Sequence, residues 1–117
     1  MGNVSSNKTN VPIVVNIKYS KLENLIKELK KNSEYLNKSK IKTFDELEKN
    51  EYKISFINYQ DEINSELMRL RKSISDNAND INEYTKSTIK LKSYIFEIQT
   101  IVKIYFEIVR NKSKFFI

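Results

Sequence analysis

Cysteine, histidine and tryptophan do not occur in this chain of 117 residues, and glycine and proline occur once each. Without Cys there is no disulfide, no thiolate zinc site, no cysteine nucleophile and no palmitoylation site. Without His the commonest metal ligand and general base is missing. No EF-hand spacing, phosphate loop or G-x-S-x-G pattern compensates. The chain is therefore expected to be no enzyme and to hold neither cofactor nor metal. A single Gly and a single Pro cannot supply the tight turns of a β-rich or α/β domain, which predicts an all-α protein with few connections. The sequence shows no apolar run long enough to cross a membrane and no charged n-region followed by a long h-region at its start. Together these place it on the cytosolic side.

What is present is a helical pattern. Hydrophobic residues make up 39% and charged residues 31% of the chain, too lean for a compact globule but suited to amphipathic helices. Ser20-Lys21-Leu22-Glu23 reads as a capping box, in which the serine oxygen accepts the N3 amide and the glutamate returns to the cap amide. It opens a basic amphipathic helix over 17–38 with Leu22, Leu25, Ile26, Leu29 and Leu36 on one face. Thr43-Phe44-Asp45-Glu46 is a second capping box and starts the major element, a helix over 43–113. Residues 114–117 form a C-terminal tail, and residues 1–16 a flexible N-terminal one whose Val11-Pro12-Ile13-Val14-Val15 is extended, because Pro12 excludes a helix.

From Phe56 onward two series of residues recur every seven positions. The first is Phe56, Ile63, Leu70, Asn77, Tyr84, Leu91, Ile98 and Tyr105; the second is Gln60, Leu67, Ile74, Ile81, Thr88, Ile95, Val102 and Val109. Thirteen of the sixteen are apolar or aromatic and the phase never slips, a pattern that points to a coiled coil. A continuous helix from Phe44 to Lys112 would be on the order of 100 Å long at about 1.5 Å per residue. Such a rod cannot cover its own seam, so it is expected to pair with other coiled-coil subunits, in a hetero-oligomer rather than a homo-oligomer. Ser75-Asp76-Asn77-Ala78-Asn79-Asp80 is the one weak point, where Asp80 could cap a new helix with Glu83 at N3. An unshifted phase across it favours continuity, with Asn77 as a seam amide that sets register and oligomer state.

Charge is unevenly spread. Residues 18–42 carry eight Lys and three Glu, 43–84 carry five Lys or Arg and ten Asp or Glu, and 85–117 carry seven Lys or Arg and two Glu. The blocks are thus +5, −5 and +5, and Lys8 completes the net +6. The lysines alternate with glutamates and no zinc module, aromatic platform or helix-turn-helix accompanies them, so nucleic acid is not an expected partner. The tail Arg110-Asn111-Lys112-Ser113-Lys114-Phe115-Phe116-Ile117 mixes cations and aromatics, and such an end is expected to dock on a partner.

The single glycine is Gly2, in Met1-Gly2-Asn3-Val4-Ser5-Ser6. With Ser6 this satisfies M-G-x-x-x-[ST], the pattern for N-myristoylation of the glycine amine after methionine removal. One myristoyl chain anchors only weakly, with an association constant near 10⁴ M⁻¹, so a second signal is needed. Lys18, Lys21, Lys27, Lys30 and Lys31 of the basic helix could supply it through anionic lipid.

A Met-Gly start with adjacent serines, Met1-Gly2 and Ser5-Ser6, followed by a long coil that opens with Tyr59-Gln60-Asp61, resembles the myrlysin family. These are the lipidated subunits of the BLOC-one-related complex, BORC. The resemblance implies an all-helical multi-subunit adaptor on the cytosolic face of lysosomes or endosomes, working in organelle transport through a small GTPase. Gly2 would carry the lipid and the seam would bundle with sister subunits. Two other readings stay open: a myristoylated structural protein of a virus particle or parasite membrane skeleton, and a SNARE-like fusion helix. Against the last, the seam has no central Gln or Arg layer, since Gln60 lies near one end and Asn77 is not the expected residue.

Overall fold

A computed structural model describes residues 17–117. It is 83% helical, and no strand occurs among the described residues. Four helices follow one another: α1 (Ser20–Lys38), α2 (Phe44–Glu48), α3 (Glu51–Asn77) and α4 (Ile81–Ser113). Gly2, Ser6, Lys8 and the Val11–Val15 segment lie outside the described residues.

The three long helices form an up-down-up bundle. α1 runs antiparallel to α3, with the Tyr35 and Tyr52 rings 5.1 Å apart at one end and Lys21 acting on Glu66 toward the other. α1 runs parallel to α4, since Tyr94 Oη donates to Glu23 Oε2 near their N-termini while Lys112 Nζ donates to Asn37 O and Ser39 O near their C-termini. α3 and α4 are antiparallel, and the rings of Phe56 and Tyr105 stack between them at 3.9 Å and 7°.

The core is one cluster drawn from all four helices. Leu22, Leu29 and Leu36 of α1 are fully buried, as are Phe56, Ile63 and Leu70 of α3; α4 contributes Leu91, Ile98, Ile101 and Tyr105, and α2 adds Leu47. Each such aliphatic side chain contributes roughly 1.5–3 kcal/mol through removal from water. The spacing of the leucines in α1, seven residues apart, is the signature of a helix with one face committed to neighbours.

Helix ends follow local side-chain chemistry, with one departure from the sequence reading. Thr43 Oγ1 accepts from Glu46 N at 3.1 Å and Glu46 Oε1 accepts from Thr43 N at 3.1 Å, so the second capping box forms. Asn50 then caps α3 by accepting from Tyr52 N and Lys53 N. The Ser20 box does not form. The cap of α1 is Tyr19, without a side-chain bond, because Glu23 accepts the Tyr94 hydroxyl and Tyr19 stacks on the Tyr94 ring, 5.5 Å away. An inter-helix contact has replaced the local one.

The predicted continuous rod is broken twice. Asn50 separates α2 from α3, and the chain reverses at Ala78-Asn79-Asp80. Ala78 is extended (φ −68°, ψ 126°), and Asp80 Oδ1 accepts from Glu83 N at 2.8 Å, making it the cap of α4. Asn77 turns back on its own helix, donating to Ser73 O at 2.9 Å. Within the folded chain it closes α3. An unshifted heptad phase is compatible with this reversal, because a turn frees each helix to rotate its own stripe inward.

Among the described residues Glu66 is the one carboxylate in the core, 2% exposed. Arg69 holds it through Nε at 2.9 Å and Nη2 at 2.6 Å. Hydrogen bonding from Arg69 lowers its pKa against the opposing cost of burial, with the charges of Arg69 and Lys21 assisting. A lowered carboxyl pKa contributes stability at pH values above that of the unfolded chain, and the contribution vanishes as pH falls through the folded value. We expect Glu66→Gln to lower stability at pH 7 by about 1 kcal/mol, the scale of one charged hydrogen bond to a solvent-facing partner. The difference from wild type should shrink between about pH 5 and pH 3. Urea melts at the three pH values check this, and a pH-independent difference would contradict it.

Candidate functional site

The expected seam is largely buried, but inside the single chain. Phe56, Ile63, Leu70, Leu91, Ile98 and Tyr105 of the first series are buried, as are Leu67 and Ile74 of the second. Ile95, Val102 and Val109 are half-buried. α1 supplies the covering face that the sequence reading assigned to another chain. Closing the seam within one chain avoids the translational and rotational cost of association, so pairing with a second molecule is not required for most of it.

Near the reversal the seam fails. Ile81 is 73% and Tyr84 43% exposed. α1 begins beside Lys90, whose ammonium sits 4.5 Å over the Tyr19 ring, so the first turns of α4 extend past the covering helix.

The coverage is also incomplete along one side. α1 nestles against both long helices, whereas α3 and α4 diverge on the face away from it and leave a groove of about 1050 Å³. Leu67, Ile95, Ile98 and Val102 form its floor, and Met68 and Phe106 stand as its walls. Those two remain 69% and 62% exposed, large apolar groups left in water on a single surface. Arg71, Lys103 and Arg110 line the rim against one carboxylate, Glu107. Gln60, Asn64 and Gln99 complete it with amides.

A continuous rod would offer no such concavity; the break at Ala78-Asn79-Asp80, which sets α3 beside α4, creates it. Its lining runs from Gln60 to Arg71 on α3 and from Ile95 to Arg110 on α4. At about 1.5 Å per residue it is on the order of 20 Å long, the length of a helix of about four turns. A fourth helix placed there would convert three helices into a four-helix bundle with coiled-coil-like packing. Met suits such a surface because its thioether fills irregular gaps.

Met68 and Phe106 belong to neither seven-residue series, and sequence reasoning passed over them. A signal existed: each directly follows a seam residue, in Leu67-Met68 and Tyr105-Phe106, as Phe96 follows Ile95. An apolar residue beside the stripe widens it, and a widened stripe serves two neighbours instead of one.

The groove holds no pairing of a nucleophile with a base, and among the described residues no group of three or more His, Cys, Asp or Glu could hold a metal ion. No described helix is long and apolar enough to cross a membrane. Nothing in the described residues points to catalysis.

The basic residues of α1 do not act as one face. Lys21 leans toward Glu66 of α3, Lys27 and Lys30 border a hollow shared with Tyr94 and Glu97 of α4, and Lys31 pairs with Glu28 at 3.3 Å. Lys18 precedes the helix. Tyr94 closes this side of the bundle: burial, then its hydrogen bond to Glu23 and the nearby carboxylate charge, push its pKa up to about 12. No match was found with known protein families, curated proteins or solved structures.

Proposed function

We propose that this chain is a binding subunit, an adaptor or scaffold of a helical multi-protein complex on the cytosolic face of an organelle membrane. In this reading the α3–α4 groove receives an amphipathic helix of another subunit. The observation that carries it is the groove itself: an apolar trough of four-turn length with Met68 and Phe106 exposed at its walls.

The charge on the rim selects the occupant. Three cations against one anion call for a helix with acidic flanks. A second copy of this groove would bring the same cations face to face, which argues for a hetero-oligomer. The role is docking rather than catalysis, since recognition of this kind needs apolar anchors and complementary charge, both of which the groove supplies.

Myristoylation at Gly2, with Ser6 completing the acceptor motif, would deliver the subunit to the membrane. The resemblance of Met1-Gly2, Ser5-Ser6 and Tyr59-Gln60-Asp61 to myrlysin supports assigning that membrane to the lysosome or endosome, with a small GTPase engaged through the assembled complex. A weak single-chain anchor fits a subunit whose residence also depends on its companions.

Gly2→Ala tests the lipid. The substituted chain should shift from the floating membrane fraction to the soluble fraction in a density gradient while its far-ultraviolet circular dichroism stays the same. Equal flotation of the two proteins would remove acylation from the proposal.

A further inference from the structure

The C-terminal ends of the two basic blocks are more than seventy residues apart in the sequence, yet the fold joins them at one tip of the bundle. Lys38 ends α1 and the loop after it carries Lys40 and Lys42; the end of α4 and the tail carry Lys112 and Lys114. Lys112 Nζ binds Asn37 O at 3.0 Å and Ser39 O at 2.7 Å, and Ile117 N donates to Lys42 O at 3.1 Å. The tail therefore docks on its own chain, with Phe116 packed against the core.

Three large apolar side chains are left pointing into water at the same tip. Phe44 is 64%, Phe115 77% and Ile117 98% exposed. The carboxylates closest in sequence are already engaged: Asp45 with Lys49 at 3.1 Å, Glu46 in the Thr43 capping box, and Glu48 with Lys53 at 2.9 Å. Lys38, Lys40, Lys42 and Lys114 form no ion pair among the described residues. Cations at helix C-termini are explained by the helix dipole, which accounts for Lys38 of α1 and for Lys112 and the cap residue Lys114 of α4. Lys40, Lys42 and the exposed apolar side chains are not explained by it.

We propose that this tip is a membrane-contact surface for anionic phospholipid, in which Phe44, Phe115 and Ile117 enter the interface while the lysines meet the headgroups. Interfacial binding scales with buried apolar area plus attraction to anionic lipid, and the tip offers both at one end of the bundle. An isolated acidic protein groove would match the charge but not three apolar groups projecting from a tip. The surface is independent of the lipid at Gly2 and of the α3–α4 groove.

The test uses the full chain without acylation, mixed with vesicles of phosphatidylcholine alone or with about 30% phosphatidylserine, and separated by sedimentation. Wild type should partition onto the serine-containing vesicles and not the neutral ones. Each lysine near an anionic surface contributes about fivefold in partitioning. Lys40→Ala, Lys42→Ala and Lys114→Ala together should therefore lower it on the order of 100-fold. A second variant, Phe115→Ser with Ile117→Ser, should lower it while keeping the charge. A control triple of equal charge loss, Lys72→Ala, Lys86→Ala and Lys92→Ala, should change it several-fold less than the tip triple. Failure of wild type to bind, equal loss in the two triples, or tighter binding to a short DNA duplex than to the vesicles would overturn the assignment.

Discussion

Phe56→Ala is expected to lower the stability of the folded chain by about 3–5 kcal/mol, the largest effect of any single truncation in the core. Phe56 is fully buried and its ring stacks on that of Tyr105 at 3.9 Å, with the two planes nearly parallel at 7°. Truncation removes the apolar contact of one ring and leaves the other facing a cavity that helices α3 and α4 cannot close. Burial raises the Tyr105 pKa, with the Lys53 charge acting in the opposite direction, so the phenol stays neutral. Its ring cannot move into the vacated space without bringing a hydroxyl toward an apolar gap. For a domain of this size, stability is on the order of 5–15 kcal/mol, so the loss is a large share of the total. Urea or thermal melts followed by circular dichroism measure it. Phe96→Ala is the paired comparison: at 71% exposure it should change stability by no more than about 0.5 kcal/mol. Near-equal losses in the two variants would refute the placement of Phe56 at the centre of the bundle.

Met68→Asp combined with Phe106→Asp should weaken docking of an acidic amphipathic helix at least about 100-fold while leaving the bundle folded. Both side chains are more than half exposed and neither belongs to the buried core, so their replacement opens no cavity. In a docked complex the opposite holds. Each wall residue would be desolvated at the centre of the interface, and a carboxylate there would be buried next to acidic flanks of the partner. The two effects act in the same direction, and apolar anchors of this kind commonly dominate binding. A labelled peptide of about eighteen residues, with Leu in a helical stripe flanked by Glu, serves as the probe in fluorescence anisotropy. Wild type should bind it and the double variant should not. Reversing the rim with Arg71→Glu and Lys103→Glu should chiefly slow association and invert its salt dependence, since one cation then stands against three carboxylates. Equal affinity of wild type and the double variant would place the occupant elsewhere on the molecule.

The helical class was legible because it follows from composition. With one Gly and one Pro the chain has almost no means of making strands turn, and stripes of Leu, Ile and Val at helical spacing leave one option. The second capping box was legible for a similar reason: Thr43 and Glu46 are three residues apart and need nothing else. The Ser20 box has the same local pattern and failed, because Tyr94 arrives from α4 and takes the carboxylate of Glu23. Local chemistry predicts a cap reliably only where no distant group competes for it.

The groove and the basic tip were not legible, and the reason is common to both. Each is made of residues from two helices whose relative placement depends on whether the chain reverses at Ala78-Asn79-Asp80. A straight rod would set Met68 and Phe106 more than 50 Å apart at about 1.5 Å per residue, and would hold Lys40 far from Lys114. Heptad periodicity is blind to that choice, since it records which residues share a face and not which helix the face meets.

The sequence by itself determined that the chain is helical, which residues make the apolar stripe, that a helix starts at the Thr43 capping box, and that the stripe exceeds what one helix can cover. Only the tertiary structure decided what covers it. α1 folds back along α3 and α4, because an intramolecular partner is always at high local concentration whereas a separate chain must lose its translational freedom to do the same work. One covering helix shields two long ones on one side only, and the uncovered side is the groove.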